Sequence, residues 1–145
     1  MEAFPHHYTV TALGNSAQSQ TTVNSTGVGD ITTDMPAEFG GPGDQWSPES
    51  LLMAAVADCF VLTFRAIAQA SRQEWSTISC RATGTLDSVE RKPQFTHLQL
   101  EVELSVAGEY NEERVRRLLT KAEESCLVTN SLSAEVSLQA TLLPA

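Results

Sequence analysis

The stretch SPESLLMAAVADCFVLTFRAIAQAS, residues 47–71, contains the clearest helix start in the chain and a cysteine near its middle. Ser47 can accept hydrogen bonds from the free backbone N–H groups of a first helical turn. Pro48 fits the first helical position because it has no N–H to leave unpaired, and Glu49 suits the positive end of the helix dipole. The sequence therefore predicts a helix that begins directly after Ser47.

This helix is predicted to be apolar on nearly all sides. From Leu51 to Phe64 the only charged residue is Asp58. A helix without a polar face belongs inside a protein, and about fourteen apolar residues are too few to cross a membrane, which takes roughly twenty. We therefore expect no membrane partner and a buried central helix that carries Cys59. The helix would be covered on several sides by a sheet and, in a dimer, by a second subunit.

The length and composition are those of one ordinary globular domain spanning residues 1–145. A chain of 145 residues buries roughly two thirds of its unfolded surface and needs no disulfide bonds for stability. Its 41% hydrophobic and 19% charged residues fit that class. The N-terminus, MEAFPHHYTV, has neither a basic start nor a long apolar segment. No signal peptide is therefore predicted, and a cytoplasmic location is expected.

The charge of the chain argues against one large class of partner. The formal net charge is −9, whereas binding to a phosphate backbone requires clustered Lys and Arg, so no nucleic acid partner is expected. All nine basic residues lie at or after Arg65, and the first 64 residues contain neither Lys nor Arg. The first 64 residues therefore offer no Lys or Arg side chain to any site.

The residues before the central helix are typical of short strands. His6–Leu13 and Gln20–Val28 are rich in Thr, Val and Tyr, and a polar turn-like segment separates them. This pattern predicts a hairpin, to which Asp30–Met35 can add a third strand. Pro36–Gly43 concentrates Pro and Gly and is predicted to be a loop that leads into the helix.

The residues after the helix predict more strands and a second, amphipathic helix. Apolar and polar residues alternate along Ile78–Leu86 and Leu98–Val106, which a turn over Asp87–Gln94 would join. Asn111 is predicted to cap the second helix, and Ala134–Leu143 reads as a last strand. The predicted fold class is α+β. Its antiparallel sheets would expose one face to solvent and cover the central helix with the other.

Three widely spaced cysteines, Cys59, Cys80 and Cys126, do not form the framework of a secreted disulfide-rich protein. A cysteine in a core helix is most often a small apolar residue, but Cys59 follows Asp58, a charge that needs a partner or a wet cavity. Cys126 follows an acidic helix end at a polar junction, where it would be reachable. These two thiols can meet in the fold. Cys80 shares the apolar face of its strand and is predicted to be a core thiol.

No metal site is predicted from the remaining candidate ligands. The three histidines, His6, His7 and His97, and the three cysteines include neither a Cys-x-x-Cys motif nor a spaced His pair. Zinc binding is therefore the weakest of the interpretations considered.

Two short motifs surround the cysteines of interest: Ser47-Pro48-Glu49 followed by Ala57-Asp58-Cys59-Phe60, and Cys126-Leu127-Val128-Thr129 after a helix. They resemble the signatures of the osmotically inducible protein C and organic hydroperoxide resistance proteins (OsmC/Ohr). In that family an Asn-or-Ser, Pro, Glu helix start precedes Ala-x-Cys-Phe, and a Cys-Pro-Val-Ser-like stretch follows later. Length, element order and both cysteine positions agree, so the resemblance covers essentially the whole chain.

The resemblance implies an OsmC-like fold in an intertwined homodimer, and a peroxidase that uses neither a metal nor a bound cofactor. The Cys59 thiolate would attack the O–O bond of an organic hydroperoxide and become a sulfenic acid, with which Cys126 would form a disulfide. An external dithiol, lipoyl-linked in this family, would reduce that disulfide. An apolar wall beside the cysteine would favour alkyl hydroperoxides over hydrogen peroxide. Residues such as Leu52, Ala55, Val56 and Phe60 would form this wall.

The chain departs from the family at the group that activates the cysteine. The family uses an arginine from the N-terminal hairpin, held by the glutamate that matches Glu49, and here no Lys or Arg precedes Arg65. Arg72, Arg81 or a group from the partner subunit would have to substitute, because a thiolate needs a positive charge or a helix N-terminus nearby. Glu49 is then either a site residue or a simple N-terminal charge.

Two alternatives to a peroxidase follow from this departure. In the first, a dimer of the same fold binds an apolar small molecule and is catalytically weak. In the second, all three cysteines are buried and inert. Replacing Cys59 separates the first alternative from a peroxidase, since a binding protein would keep its ligand.

Overall fold

Short strands make up the beginning of the chain, as its Thr- and Val-rich segments predict. The computed structural model describes residues 1–145, which divide into two compact units, Met1–Leu52 and Met53–Ala145. In the first unit three antiparallel strands follow one another, β1 (Thr11–Leu13), β2 (Thr21–Asn24) and β3 (Ile31–Thr33). The predicted hairpin and its third strand are thereby confirmed.

The first strands are shorter than the sequence predicts, since residues 6–10 form no strand. The Pro- and Gly-rich segment that follows β3 is a loop with one 3₁₀ turn, Ala37–Phe39. This turn ends at Gly40, whose φ of 87° lies in the left-handed region that favours glycine. The prediction of a loop before the helix is correct.

Helix α1 (Pro48–Ala70) begins where the sequence predicts. The Ser47 hydroxyl accepts a hydrogen bond of 3.1 Å from the backbone N–H of Ser50. The Ser47 carbonyl accepts another, of 2.9 Å, from the N–H of Leu51. The first bond occupies an N–H group that a helix start otherwise leaves unpaired, and the second is the first backbone hydrogen bond of the helix. The helix starts in the first unit and continues through the beginning of the second.

Only one stripe of α1 is buried within the chain. Val56, Phe60, Phe64 and Ala68 follow at intervals of four residues and are 0% exposed. Leu62, on another side of the helix, is 55% exposed. Within the single chain α1 thus buries one face and leaves apolar residues exposed on the others, and cover by a second subunit stays a prediction.

Helix α1 is long and apolar enough to cross a membrane by length and composition alone, with a mean hydropathy of 1.9 over its most apolar window. The expectation that it is too short is wrong, because the apolar character continues beyond Phe64. Core helices of soluble proteins meet the same criterion, however. The buried stripe of α1 is part of the hydrophobic core of the second unit, as in such a core helix.

The second unit contains a three-stranded sheet with the order β4 (Thr77–Val89), β5 (Lys92–Val106) and β6 (Glu135–Pro144). Strands β4 and β5 are antiparallel, whereas β5 and β6 are parallel. The prediction of purely antiparallel sheets is therefore wrong. A parallel neighbour requires a crossover connection, and the segment between β5 and β6 contains the second long helix.

The turn between β4 and β5 is tighter than predicted. Val89 pairs with Lys92, so only Glu90 and Arg91 connect the strands. Their φ angles, 51° and 69°, are both positive, as in the two-residue turns whose twist matches that of a hairpin. The predicted turn over residues 87–94 is thus wrong in length, because both strands extend into it.

Helix α2 (Glu112–Glu124) and the sheet enclose the core of the second unit. The Asn111 side chain accepts a hydrogen bond of 3.0 Å from the backbone N–H of Arg114, which confirms the predicted cap. The apolar face of β5 and the buried stripes of α1 and α2 belong to one cluster. The alternate residues of β5, Gln99, Glu101 and Glu103, are not buried, so the wet face of this strand is confirmed.

A short helix, α3 (Leu127–Asn130), follows α2 and has no counterpart in the sequence prediction. Cys126 occupies the position before its first residue. The backbone N–H groups of Leu127 and Val128 therefore stand at the helix start, where they have no carbonyl partners within the helix. This placement determines the surroundings of the cysteines.

Candidate active site

Cys59 lies at the edge of the buried stripe of α1 and borders an open cavity. The side chain is partly exposed, whereas the next residue, Phe60, is fully buried in the core. The cavity has a volume of about 560 Å³ and lies between α1 and the start of α3. Its apolar lining includes Ala55, Leu62, Ala66, Ile67, Leu127 and Val128.

The apolar wall predicted from the sequence is correct at only one of four positions. Ala55 lines the cavity, but Leu52 does not. Val56 and Phe60 are 0% exposed and belong to the core, because they lie on the buried stripe of α1. The actual wall uses residues on the Cys59 side of the helix, one of which is Leu62.

Asp58 also lines this cavity and is exposed. Asp58, the one charge within this apolar run, is therefore exposed to solvent, as the sequence predicts. Water solvates the carboxylate, so no buried partner is needed.

Cys126 is the second thiol of the site. It is 0% exposed, so the expectation of a reachable residue at a polar junction is wrong. Hydrogen bonding from its side chain is one of the causes that lower the pKa of the Cys59 thiol. The fold thus brings together the two cysteines that are far apart in the sequence, and both are free thiols.

The pKa of the Cys59 thiol lies below its ordinary value of 9.0. Burial by itself raises this pKa, but four hydrogen bonds to the sulfur outweigh burial. In order of decreasing effect the donors are the Val128 backbone, the Cys126 side chain, the Thr63 side chain and the Leu127 backbone. Each donor stabilises the thiolate, which is the reactive form of cysteine.

No arginine contributes to this activation. Arg81 lies 3.9 Å from Glu101, with 82% of its side chain exposed, and Arg72 is exposed after the end of α1. Neither is among the groups of the same chain that shift the Cys59 pKa, and substitution by a group from a partner subunit stays a prediction. Neutral donors, two of them backbone N–H groups at the start of α3, take this role.

The other two thiols have raised pKa values. Burial raises the pKa of Cys126, and hydrogen bonding to Cys59 adds to the increase despite opposing hydrogen bonds from Thr129. Burial and the charge of Cys126 raise the pKa of Cys80 to about 11. Cys80 packs against the core of the second unit, which confirms the prediction of a core thiol. Of the three thiols, only Cys59 has a lowered pKa.

Glu49 does not line the Cys59 cavity. It lies in the first unit, where it lines a separate cavity of about 410 Å³ with Asp34 and Phe39. One of its carboxylate oxygens, Oε2, is buried without a hydrogen-bond partner. Asp34, in contrast, accepts hydrogen bonds from the Ser19 hydroxyl at 2.9 Å and from the backbone N–H of Met35 at 2.7 Å.

Thr63 and the start of α3 are the site groups that the sequence analysis missed. Thr63 lies one turn after Cys59, and its Oγ1 is 3.9 Å from the Cys59 sulfur. The four-residue spacing on a predicted helix was a usable signal, because residues i and i+4 share a helix face. The backbone donors of Leu127 and Val128 gave no such signal, since no side chain marks them.

Replacing Thr63 with Val, which has the same shape but no hydroxyl, is expected to slow alkylation of Cys59 by iodoacetamide at pH 7. A loss of about 1 kcal/mol of hydrogen bonding corresponds to a three- to tenfold lower rate. The sign follows from the pKa, because removing a donor that lowers the pKa raises it and leaves less thiolate. Peptide mass spectrometry over a pH series measures the rate, and Thr63→Ser is the control that should keep it. Equal rates in all three proteins would contradict the assigned contact.

Comparison with known proteins identifies relatives along most of the chain. A sequence profile described as "OsmC-like protein" matches residues 41–141. The uncharacterised protein YmaD of Bacillus subtilis is 26% identical over 141 residues, which cover 92% of this chain and 91% of YmaD.

Solved structures agree with the fold. An OsmC-like protein of unknown function from Vibrio cholerae superposes with a TM-score of 0.85 at 18% identity, covering 94% of this chain and 100% of that one. An organic hydroperoxide resistance protein from Legionella pneumophila gives a TM-score of 0.76 at 23% identity, covering 97% and 98% of the two chains. At these identities the likeness shows a shared fold.

Proposed function

Because the chain belongs to the family of OsmC-like proteins, we propose that it is a cysteine-based peroxidase that reduces organic hydroperoxides to alcohols. The observation that carries the proposal is the pair of thiols beside an apolar cavity. Cys59 borders the cavity and has a lowered pKa, and hydrogen bonding from Cys126 is one cause of that lowering. The similarity in fold to a hydroperoxide resistance protein supports the same reading.

The reaction begins with the Cys59 thiolate. It attacks the outer oxygen of the hydroperoxide, the O–O bond breaks, and the alkoxide leaves to become the alcohol. Cys59 becomes a sulfenic acid. The hydrogen bonds that lower the pKa of Cys59 increase the ionised fraction of the thiol, which this attack requires.

Cys126 completes the proposed cycle. Its thiolate attacks the Cys59 sulfenic acid and displaces hydroxide, which forms a Cys59–Cys126 disulfide. An external dithiol, such as a lipoyl group, then reduces the disulfide by thiol exchange. The buried position of Cys126 protects it from direct oxidation, since it meets the cavity only through Cys59.

The lining of the cavity favours organic substrates. Leu62, Ile67 and Val128 offer apolar surface to an alkyl or aryl group attached to the peroxide. Burial of such a group adds binding free energy that hydrogen peroxide does not provide, at about 25 cal/mol for each Å² of apolar area. The protein should therefore prefer organic hydroperoxides and act in defence against oxidative stress.

We also propose that two copies of the chain form a homodimer. The exposed apolar side of α1, which includes Leu62, would be covered by the second copy. Glu49 belongs to this part of the proposal, because its buried Oε2 has no hydrogen-bond partner within the single chain and a basic group from that copy would supply one. Its role as a catalytic residue stays a prediction.

A second candidate is a catalytically weak dimer that binds an apolar small molecule in the same cavity. The observation in its favour is that every donor around Cys59 is neutral. A neutral donor stabilises a thiolate less than a charged donor such as arginine does, because a hydrogen bond from a charged donor is stronger. Slow chemistry together with ligand binding would result.

Mass spectrometry of the reduced protein tests the peroxidase directly. One equivalent of cumene hydroperoxide is expected to remove two hydrogens from the intact mass and to yield a peptide that joins Cys59 to Cys126. The same dose of hydrogen peroxide should give this product more slowly. If both thiols stay reduced with either oxidant, the proposal of a peroxidase is wrong, and the next experiment is a search for a ligand of the cavity.

A further inference from the structure

We propose that Asp58 makes the Cys59 cavity select between organic hydroperoxides by their charge. Hydroperoxides that are neutral or carry a cationic group are accepted, whereas those with a carboxylate close to the peroxide group are repelled. The inference rests on the proposed function, because it names the class of substrate that reaches Cys59. It makes Asp58 a residue that determines specificity.

Asp58 is the only charged residue in the lining of this cavity. It directly precedes Cys59 in α1 and is exposed, so a molecule that fills the cavity and reaches the thiol lies close to its carboxylate. Apart from Cys59 and the hydroxyls of Thr63 and Ser125, the other lining residues are apolar. The cavity thus combines apolar surface for an organic group with one negative charge.

The charge of Asp58 is not neutralised by an ion pair within the chain. Neither of the two ion pairs that the chain forms includes it. Arg65, the first Lys or Arg in the sequence, follows about 10 Å further along the helix axis and does not line the cavity. Because exposed carboxylates are ionised at neutral pH, Asp58 presents a full negative charge to a molecule in the cavity.

The opposite wall adds no positive charge. Ser125, which lines the cavity on that side, directly follows Glu123 and Glu124 at the end of α2. The chain as a whole has a formal net charge of −9. A cleft bordered by charges of one sign raises the local concentration of molecules with the opposite sign and lowers that of molecules with the same sign. Anionic substrates are therefore disfavoured both at the cavity and on approach to it.

The expected discrimination is moderate and depends on distance. Two unit charges about 6 Å apart, at an effective dielectric constant of about 40, interact strongly enough to change a rate about tenfold. In 0.1 M salt such an interaction is largely screened beyond about 10 Å. The selection therefore applies to a charge close to the peroxide group, and higher salt weakens it.

Alkylating reagents of different charge test this preference without any peroxide chemistry. Iodoacetamide is neutral, iodoacetate is its anionic counterpart, and both release iodide. Peptide mass spectrometry follows the loss of the free Cys59 thiol with each reagent, and each rate is divided by that of 2-mercaptoethanol to correct for the reagent itself. The proteins are the full chain, Asp58→Asn, Asp58→Lys and the control Asp87→Asn. Asp87 is exposed on β4 and does not line the cavity, so its replacement removes the same charge elsewhere.

In the unaltered chain the corrected rate with iodoacetate should be about tenfold lower than with iodoacetamide at low ionic strength, and 0.5 M salt should reduce the difference. Asp58→Asn should lose most of the discrimination, Asp58→Lys should reverse it, and Asp87→Asn should keep it. A change in the thiol alone would alter both rates together and leave their ratio unchanged. Equal ratios in Asp58→Asn and Asp87→Asn, or no discrimination in the unaltered chain, would overturn the inference.

Two hydroperoxides test the substrate class in the same proteins. Cumene hydroperoxide and its para-carboxylate derivative share the reacting group and differ by one charge. The carboxylate should oxidise Cys59 about tenfold more slowly, and of the two Asn variants only Asp58→Asn should narrow this gap. Equal rates with the two hydroperoxides would overturn the assigned substrate class. Failure of the proposed function looks different, because neither hydroperoxide would then modify Cys59, although the alkylating reagents would still be distinguished by charge.

Discussion

Cys59→Ser is expected to reduce the turnover of cumene hydroperoxide to the background rate, a loss of about 10³-fold or more for removal of a nucleophile. Serine keeps the size of the side chain but ionises far too weakly to attack a peroxide at neutral pH. The four donors that lower the pKa of the Cys59 thiol would have no anion to stabilise. Consumption of the hydroperoxide in the presence of excess dithiol measures the effect.

Cys80→Ser is the matched control for this substitution. Burial and the charge of Cys126 raise the Cys80 pKa to about 11, and the side chain packs against the core of the second unit. Its removal should leave turnover unchanged. Full activity in Cys59→Ser would eliminate the peroxidase mechanism, whereas ligand binding without turnover in the unaltered chain would favour the alternative binding protein.

Features that depend on neighbouring residues could be predicted from the sequence. Ser47 and Pro48 fix the start of α1, and Asn111 fixes that of α2, because a helix cap involves only residues within one turn. The alternation along β5 also gave its buried face correctly. In each case a single short stretch contains the whole physical cause.

Features that depend on distant contacts could not be predicted. The parallel pairing of β5 with β6 depends on the path of the chain through α2, which no local pattern determines. The position of Val56 and Phe60 in the core, rather than in the cavity wall, depends on which side of α1 meets the sheet. A helix that is apolar on nearly all sides does not reveal that side.

The activation of Cys59 shows the same limit within the site. The first 64 residues contain no arginine, and a thiolate needs stabilisation, so the sequence led to the prediction of another cationic side chain. The largest lowering effects come instead from the Val128 backbone and the Cys126 side chain, which reach Cys59 only in the folded chain. Backbone N–H groups have no residue type, so composition does not reveal them.

The second large effect is a loss of stability expected on replacing Phe64, which packs α1, the helix that carries Cys59, against the core. Phe64 is 0% exposed and forms an edge-to-face contact with Trp75, with ring centroids 5.8 Å apart and an interplanar angle of 67°. Phe64→Ala should lower the free energy of unfolding by about 3–5 kcal/mol, because it leaves a cavity in the core and loses the aromatic contact. Urea denaturation followed by circular dichroism measures the change.

Leu86→Ala is the control for the Phe64 prediction, because Leu86 is 38% exposed on β4 of the same unit. Its replacement removes little buried area and should cost well under half as much free energy. If the two substitutions cost the same, the stripe of α1 that contains Phe64 is not the packed face. The start of α3 meets α1 on the neighbouring face, so that result would also contradict the placement of the Leu127 and Val128 donors beside Cys59. The stability measurement therefore tests the packing on which the proposed chemistry depends.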